Sequence, residues 1–140
     1  MNAISWMDCR GAQIIQKIMK GVINISGYGL SHILRLVNRT GGGPGLAGKD
    51  PICHILYLKH EHPEIYQKTY KFLECTDFMN LKLTGKFAAT TTSIHLCWVT
   101  NSQDLSNIYY DPVLLEFYHV DRAKLPDLIK STDEIGRAHV

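Results

Sequence analysis

The sequence has 140 residues, 45% of them apolar and 20% charged, with a formal net charge of +2. That is enough chain for one domain with a buried core, in the composition of an ordinary globular protein. Acids and bases interleave without a basic stripe, which excludes nucleic acid as an expected partner. No apolar run is long enough to span a membrane. Cys9, Cys53, Cys75 and Cys97 form no C-x-x-C pair, so they read as reduced thiols, buried or half-buried, in a cytoplasmic protein. The opening "MNAISWMDCRGAQ" carries an acid and no apolar h-region, so it does not read as a signal peptide.

In chain order, "AISWM" reads as a short strand running into Asp8. From Gly11 the period becomes helical, with Ile14, Ile15, Ile18, Met19 and Val22 on one face and Gln16, Lys17 and Lys20 on the other. Leu30, Ile33, Leu34 and Val37 repeat the signal, with Arg35 and Arg39 on the polar side. A glycine-rich loop follows, from Gly41 to Gly48. Asp50 and Pro51 then form a helix start, Asp50 as N-cap and Pro51 at the first helical position, ahead of Ile52, Ile55 and Leu56. Asp111 and Pro112 repeat the device ahead of Val113, Leu114, Phe117 and Tyr118. Pro63 opens "PEIYQKTY" as a short helix, "KFLEC" reads as a strand, and "TDFMNLKLTG" as a helix stopped by Gly85. "SIHLCWV" is ambiguous between strand and helix. Helix outweighs strand and the strands are short, which favours an α/β or α+β domain.

The stretch "GGGPGLAGKD" poses a chemical question. From Gly43 it has the spacing of a P-loop up to Lys49, but Asp50 stands where a Ser or Thr hydroxyl would hold magnesium. The segment before it is helical rather than a buried strand, and a carboxylate there would repel a triphosphate. A tight glycine turn with Asp50 capping the next helix is the better reading. A third reading keeps the loop at a cleft, presenting N–H groups, Lys49 and Asp50 to a polar ligand.

The order of landmarks resembles the FGGY family of carbohydrate kinases, with the xylulokinase-like members most similar. The family's W-x-D-x-R segment is matched by Trp6, Asp8 and Arg10, and its T-G loop by Thr40 and Gly41. An apolar helix ending in Trp, followed by P-E-x-Y/F, is matched by Pro63, Glu64 and Tyr66, with Tyr57 at the Trp position. Asp77, Phe78, Met79, Leu83, Thr84 and Gly85 match the D-Y-L-x-x-x-L-T-G segment, and Leu125, Pro126, Ile135 and Gly136 a closing L-P and I-G pair. The resemblance runs from about Ala3 to Gly136.

It implies a helix-rich α/β fold, part of an actin-like, ribonuclease-H-like ATPase lobe. It implies transfer of the ATP γ-phosphoryl to a sugar or polyol hydroxyl, with Mg2+ on the phosphates and a carboxylate taking the proton. It also leaves room for a homodimer of the full-length parent. The family's D-x-G-T strand, its catalytic Asp in a glycine-rich segment and its ATP-binding second lobe have no counterpart here. Residues 1–136 are therefore expected to be an internal fragment of the N-terminal lobe, truncated at both ends, inactive alone and binding neither ATP nor Mg2+ by itself. Residues 137–140 are expected to be a non-native or truncated tail, because "IGRAHV" can be encoded by a sequencing-adapter oligonucleotide. The alternative is a stand-alone, non-catalytic module for small molecules or proteins, derived from that lobe.

The candidate substrate-binding residues are Asp8, Arg10, Lys49 and Asp50. Asp8 and Arg10 lie two apart at a strand end and point the same way, either towards the sugar cleft or into an ion pair that fixes the turn. Lys49 falls about where glycerol-type family members place a substrate-facing aromatic residue; its other reading is a solvated lysine. Asp50 reads as a cap before a sugar ligand. His54, His60 and His62 lack the convergence a zinc site needs. Tyr57 and Trp98 read as core, and Asp77 as a structural carboxylate starting its helix.

Overall fold

A computed structural model describes residues 3–132. Ile135, Gly136 and the expected tail at residues 137–140 lie outside the described residues.

The element order is α1 (Ala12–Met19), β1 (Asn24–Ile25), β2 (Tyr28–Gly29), α2 (Leu30–Thr40), α3 (Pro51–Glu61), α4 (Pro63–Lys68), α5 (Cys75–Thr84), β3 (Ala88–Thr90), a 3-10 helix (Ser93–Cys97), β4 (Thr100–Asn101), β5 (Tyr109–Tyr110), α6 (Pro112–Tyr118), a second 3-10 turn (Arg122–Lys124) and β6 (Asp127–Ile129). The strands form three two-stranded ladders: antiparallel β1–β2 and β4–β5, and parallel β3–β6 with Ala88 opposite Asp127. Among the described residues no helix is long and apolar enough to cross a membrane.

The core gathers around α3, whose Ile52, Cys53, Ile55 and Leu56 are buried against Ile15 and Met19 of α1, Leu36 of α2 and Leu114 and Tyr118 of α6. Each fully buried Leu or Ile stabilises the fold by about 1.5–3 kcal/mol. Apolar burial of this kind pushes the Cys53 thiol up to about 12 and raises Cys97 further in the same direction. Cys9 and Cys75 are exposed, contrary to the expectation that all four thiols are at least half-buried.

Several elements differ from their sequence reading. "AISWM" is not a strand: the chain turns there, with Asp8 N–H bonded to Ser5 O at 2.9 Å, and no segment among the described residues pairs with it in a ladder. "KFLEC" is not one either; Phe72 N–H makes a single bond to Lys124 O at 2.8 Å, and Cys75 already belongs to α5. Helix α1 ends at Met19, before Val22, because the Asn24 side chain accepts from Gly21 N–H at 2.9 Å and donates to Gly21 O at 2.7 Å. That local loop offers the backbone an alternative to another helical turn. Helix α2 buries Leu36 and Thr40 while Leu34 and Val37 are exposed. Thr40 can be a core residue because its hydroxyl donates to Leu36 O at 2.9 Å, and it lies 2.8 Å from Gly42 O. "SIHLCWV" resolves into the 3-10 helix, closed by Trp98 in a left-handed conformation at φ 55°. Trp98 packs against the core, as expected.

The capping expectations divide. Asp111 accepts from Val113 N–H at 2.8 Å and caps α6. Asp50 sits at the N-cap position of α3 with extended backbone, but its side chain accepts from Gly45 N–H, five residues back, rather than from the helix. Gly85 ends α5 at φ 72°. Asp77 is buried in the first turn of that helix, with Ser93 Oγ 2.9 Å from both carboxylate oxygens. Burial raises its pKa, and the Ser93 bond pulls the other way.

Candidate functional site

The segment carrying Asp8 and Arg10 crosses α3 at close range. A Cβ on Gly11 would lie 2.5 Å from Cys53 O, and one on Gly48 would lie 2.3 Å from Ala12 N. Two glycines thus let the exit of the glycine-rich loop, the segment after Arg10 and the first turns of α3 touch backbone to backbone. This crossing brings Asp8 and Arg10 onto α3 at His54 and Tyr57, while Lys49 and Asp50 follow Gly48 at the start of that helix.

Asp8 and Arg10 form an ion pair despite the missing strand. Arg10 Nε donates to Asp8 Oδ2 at 2.8 Å and Oδ1 at 3.0 Å, Nη2 donates to Oδ2, and Arg10 N–H donates to Oδ1 at 2.9 Å. The side chain of Asp8 is 15% exposed and that of Arg10 57%. The Arg10 side-chain bonds, followed by its backbone N–H, hold the Asp8 carboxyl down at about 2. Because the folded pKa lies below the usual carboxylate value, the stability from Asp8 is fully present above about pH 4 and is lost as pH falls towards about 2. Acid titration of wild type against Asp8→Asn is expected to show a shallower loss of stability below pH 4 in the variant; identical profiles would contradict the assignment.

Sequence reasoning missed two partners. Arg10 Cζ lies 4.6 Å from the centre of the Tyr57 ring, and Nη1 donates to Tyr57 OH at 3.1 Å. Tyr57 is therefore a platform for the guanidinium, contrary to its reading as a core residue. Tyr57 OH also lies 3.2 Å from His62 Nε2. His54 Nε2 donates to Asp8 O at 3.0 Å and so ties the corner to α3. The available signal was spacing: His54 and Tyr57, three apart, share the side of α3 turned away from Ile52, Ile55 and Leu56.

Lys49 is exposed and makes no hydrogen bond or ion pair among the described residues. The Asp50 carboxylate takes Gly45 N–H and fills the loop from within. The loop also follows helix α2, not a strand. It does not have the build of a P-loop. A cleft of about 540 Å³ lies elsewhere, between α1 and the β1–β2 hairpin, lined by Gln13, Gln16, Lys17, Lys20 and Asn24. Two of its three side-chain amides are engaged, Gln16 Nε2 with Leu46 O at 3.0 Å and Asn24 with Gly21. The Asp8–Arg10 corner, with a pinned and half-open guanidinium, is the better-built polar site.

The fold itself is shared with solved kinases. The gluconate kinase of Lactobacillus acidophilus superimposes with a TM-score of 0.77 at 22% identity, over 99% of this chain and 25% of that one. This defines the class: a helix-rich α/β segment of an actin-like ATPase lobe. The sequence matches the FGGY family of carbohydrate kinases, N-terminal domain, over residues 1–139, and the chain belongs to that family. It is 25% identical to the L-fuculokinase of Escherichia coli K12 over 133 residues, 95% of this chain and 25% of that protein. It is 29% identical to the xylulose kinase of Lactococcus lactis over 82 residues, 59% of this chain and 16% of that protein. The chain thus spans about a quarter of the length of the first of these relatives.

Proposed function

We propose that this segment supplies part of the sugar-binding lobe of an ATP-dependent carbohydrate kinase, and that the Asp8–Arg10 corner holds hydroxyl oxygens of a sugar or polyol. The state of the Arg10 guanidinium carries this reading. It has five N–H groups. Asp8 takes Nε–H and one on Nη2, and Tyr57 takes one on Nη1. One N–H remains on each terminal nitrogen, on a side chain more than half exposed. Two unclaimed donors on one planar group suit the hydroxyl oxygens of a sugar or polyol. Lys49, exposed just past the crossing, would add a third donor. Asp50 would serve the site by holding the loop through Gly45.

In the whole protein the ligand hydroxyl would accept the γ-phosphoryl of ATP, in a reaction dominated by positioning and charge stabilisation. The glycine-rich loop is not built as a cradle for the nucleotide's phosphates. No three His, Cys, Asp or Glu side chains among the described residues converge on a metal position, and the glycine-rich loop spends Gly45 N–H on Asp50. The phosphoryl donor would be held by other parts of the protein, and the whole would act in the cytoplasm.

Calorimetric titration of the chain with D-xylulose, L-fuculose, D-gluconate and glycerol tests the proposal. At least one is expected to bind, and Arg10→Gln is expected to weaken that binding about tenfold or more, the loss of charge-assisted hydrogen bonds. Equal affinity in the variant would overturn it.

A further inference from the structure

The Asp8–Arg10 pair cannot by itself fix where Arg10 points. The two residues lie two apart on the same irregular segment, so their mutual bonds move with that segment. What ties the guanidinium to the body of the domain is α3. Tyr57 OH accepts from Arg10 Nη1 at 3.1 Å and lies 3.2 Å from His62 Nε2, to which its single proton can be given. His62 is in turn clamped between two helices. Its N–H bonds to Leu58 O at 3.0 Å, and its carbonyl accepts from Ile65 N at 2.9 Å and Tyr66 N at 3.0 Å. With Nε2 accepting, the ring carries its proton on Nδ1, which faces Glu64 Oε1 at 3.8 Å.

We propose that Tyr57 and His62 are positioning residues: through one O–H, they hold Arg10 so that its two unclaimed N–H groups face the ligand. The proposal rests on the reading of this corner as a sugar site. Neither residue touches the ligand. Tyr57 supplies a surface under the guanidinium and a hydrogen bond to it; His62 supplies the acceptor that orients that hydroxyl. The Tyr57 and His62 rings meet edge to face at 5.4 Å, which keeps the acceptor aligned.

The test uses the 15N-labelled full chain and the Arg10 Nε–H resonance, a readout that needs no ligand. Tyr57→Phe keeps the ring and removes both hydrogen bonds. It is expected to speed exchange of the Arg10 Nε–H with water severalfold and to weaken the sugar identified by calorimetry about three- to tenfold, the worth of one hydrogen bond, with melting temperature unchanged. His62→Ala is expected to reproduce both effects. His62→Gln, whose amide carbonyl can accept the Tyr57 proton, is expected to restore them. An unchanged Arg10 resonance in Tyr57→Phe, or His62→Gln behaving as His62→Ala, would overturn the proposal. If the resonance responds as expected and none of the four sugars binds, the relay stands and the sugar reading of the corner falls.

Discussion

Gly48→Ala is expected to cost about 3 kcal/mol or more, a large share of the about 5–15 kcal/mol that holds a domain folded. Two penalties add. Gly48 has φ +75°, a left-handed conformation that an alanine adopts only with strain, and its new Cβ would sit 2.3 Å from the backbone nitrogen of Ala12. Backbone on both sides leaves no flexible side chain to give way. Gly41 provides the control. Its φ is also +75°, but a Cβ there meets nothing within 4 Å, so Gly41→Ala is expected to cost only about 1 kcal/mol. Urea unfolding of the two variants separates the terms. Equal losses would mean that the crossing over α3 is not tightly packed.

Asp111→Ala is expected to cost about 3 kcal/mol, the second large effect. Asp111 is buried, and it joins three elements. It caps α6 through Val113 N–H at 2.8 Å, accepts from Asn101 Nδ2 of β4 at 3.2 Å, and pairs with Arg39 Nε of α2 at 3.1 Å. Removing it strands a partly buried guanidinium as well as the helix N–H groups. Asp111→Asn keeps an acceptor for the cap but not the charge, so it is expected to lose roughly half as much by thermal denaturation. If the alanine variant melts with wild type, the junction of α2, β4 and α6 is held by apolar packing alone.

Both effects trace to features with different visibility in the sequence. The Asp-Pro helix start at Asp111 is legible because the physics is local: a carboxylate reaches N–H groups two residues on. The same dipeptide at Asp50 starts α3, yet its carboxylate turns back to Gly45, because a glycine-rich loop with free N–H groups lies within reach. Helices α1, α3, α4 and α5 follow from periodicity and their stop signals. The two strands expected at "AISWM" and "KFLEC" fail because a strand needs a partner, and apolar character alone does not say whether one is near. Helix α2 shows its true face only once Thr40 is allowed into the core. The pairing of Asp8 with Arg10 was readable from their spacing. The roles of Tyr57 and His62 were not, since they depend on a close crossing that Gly11 and Gly48 permit, and a glycine does not announce which backbone it approaches. The family, by contrast, was legible from the order of its motifs, although Tyr57 occupies a Trp position and so gives the corner a hydroxyl that a Trp lacks.

The most direct test of the central claim is a sugar titration of the 15N-labelled chain, followed residue by residue. D-xylulose, L-fuculose, D-gluconate and glycerol would be added in turn. At least one is expected to perturb the Arg10 Nε–H together with the backbone amides of residues 8–11 and 48–50, saturably, with the response lost in Arg10→Gln. Perturbation centred instead on the side-chain amides of Gln13, Gln16 and Asn24 in the α1 cleft, or no saturable shift with any of the four, would contradict it.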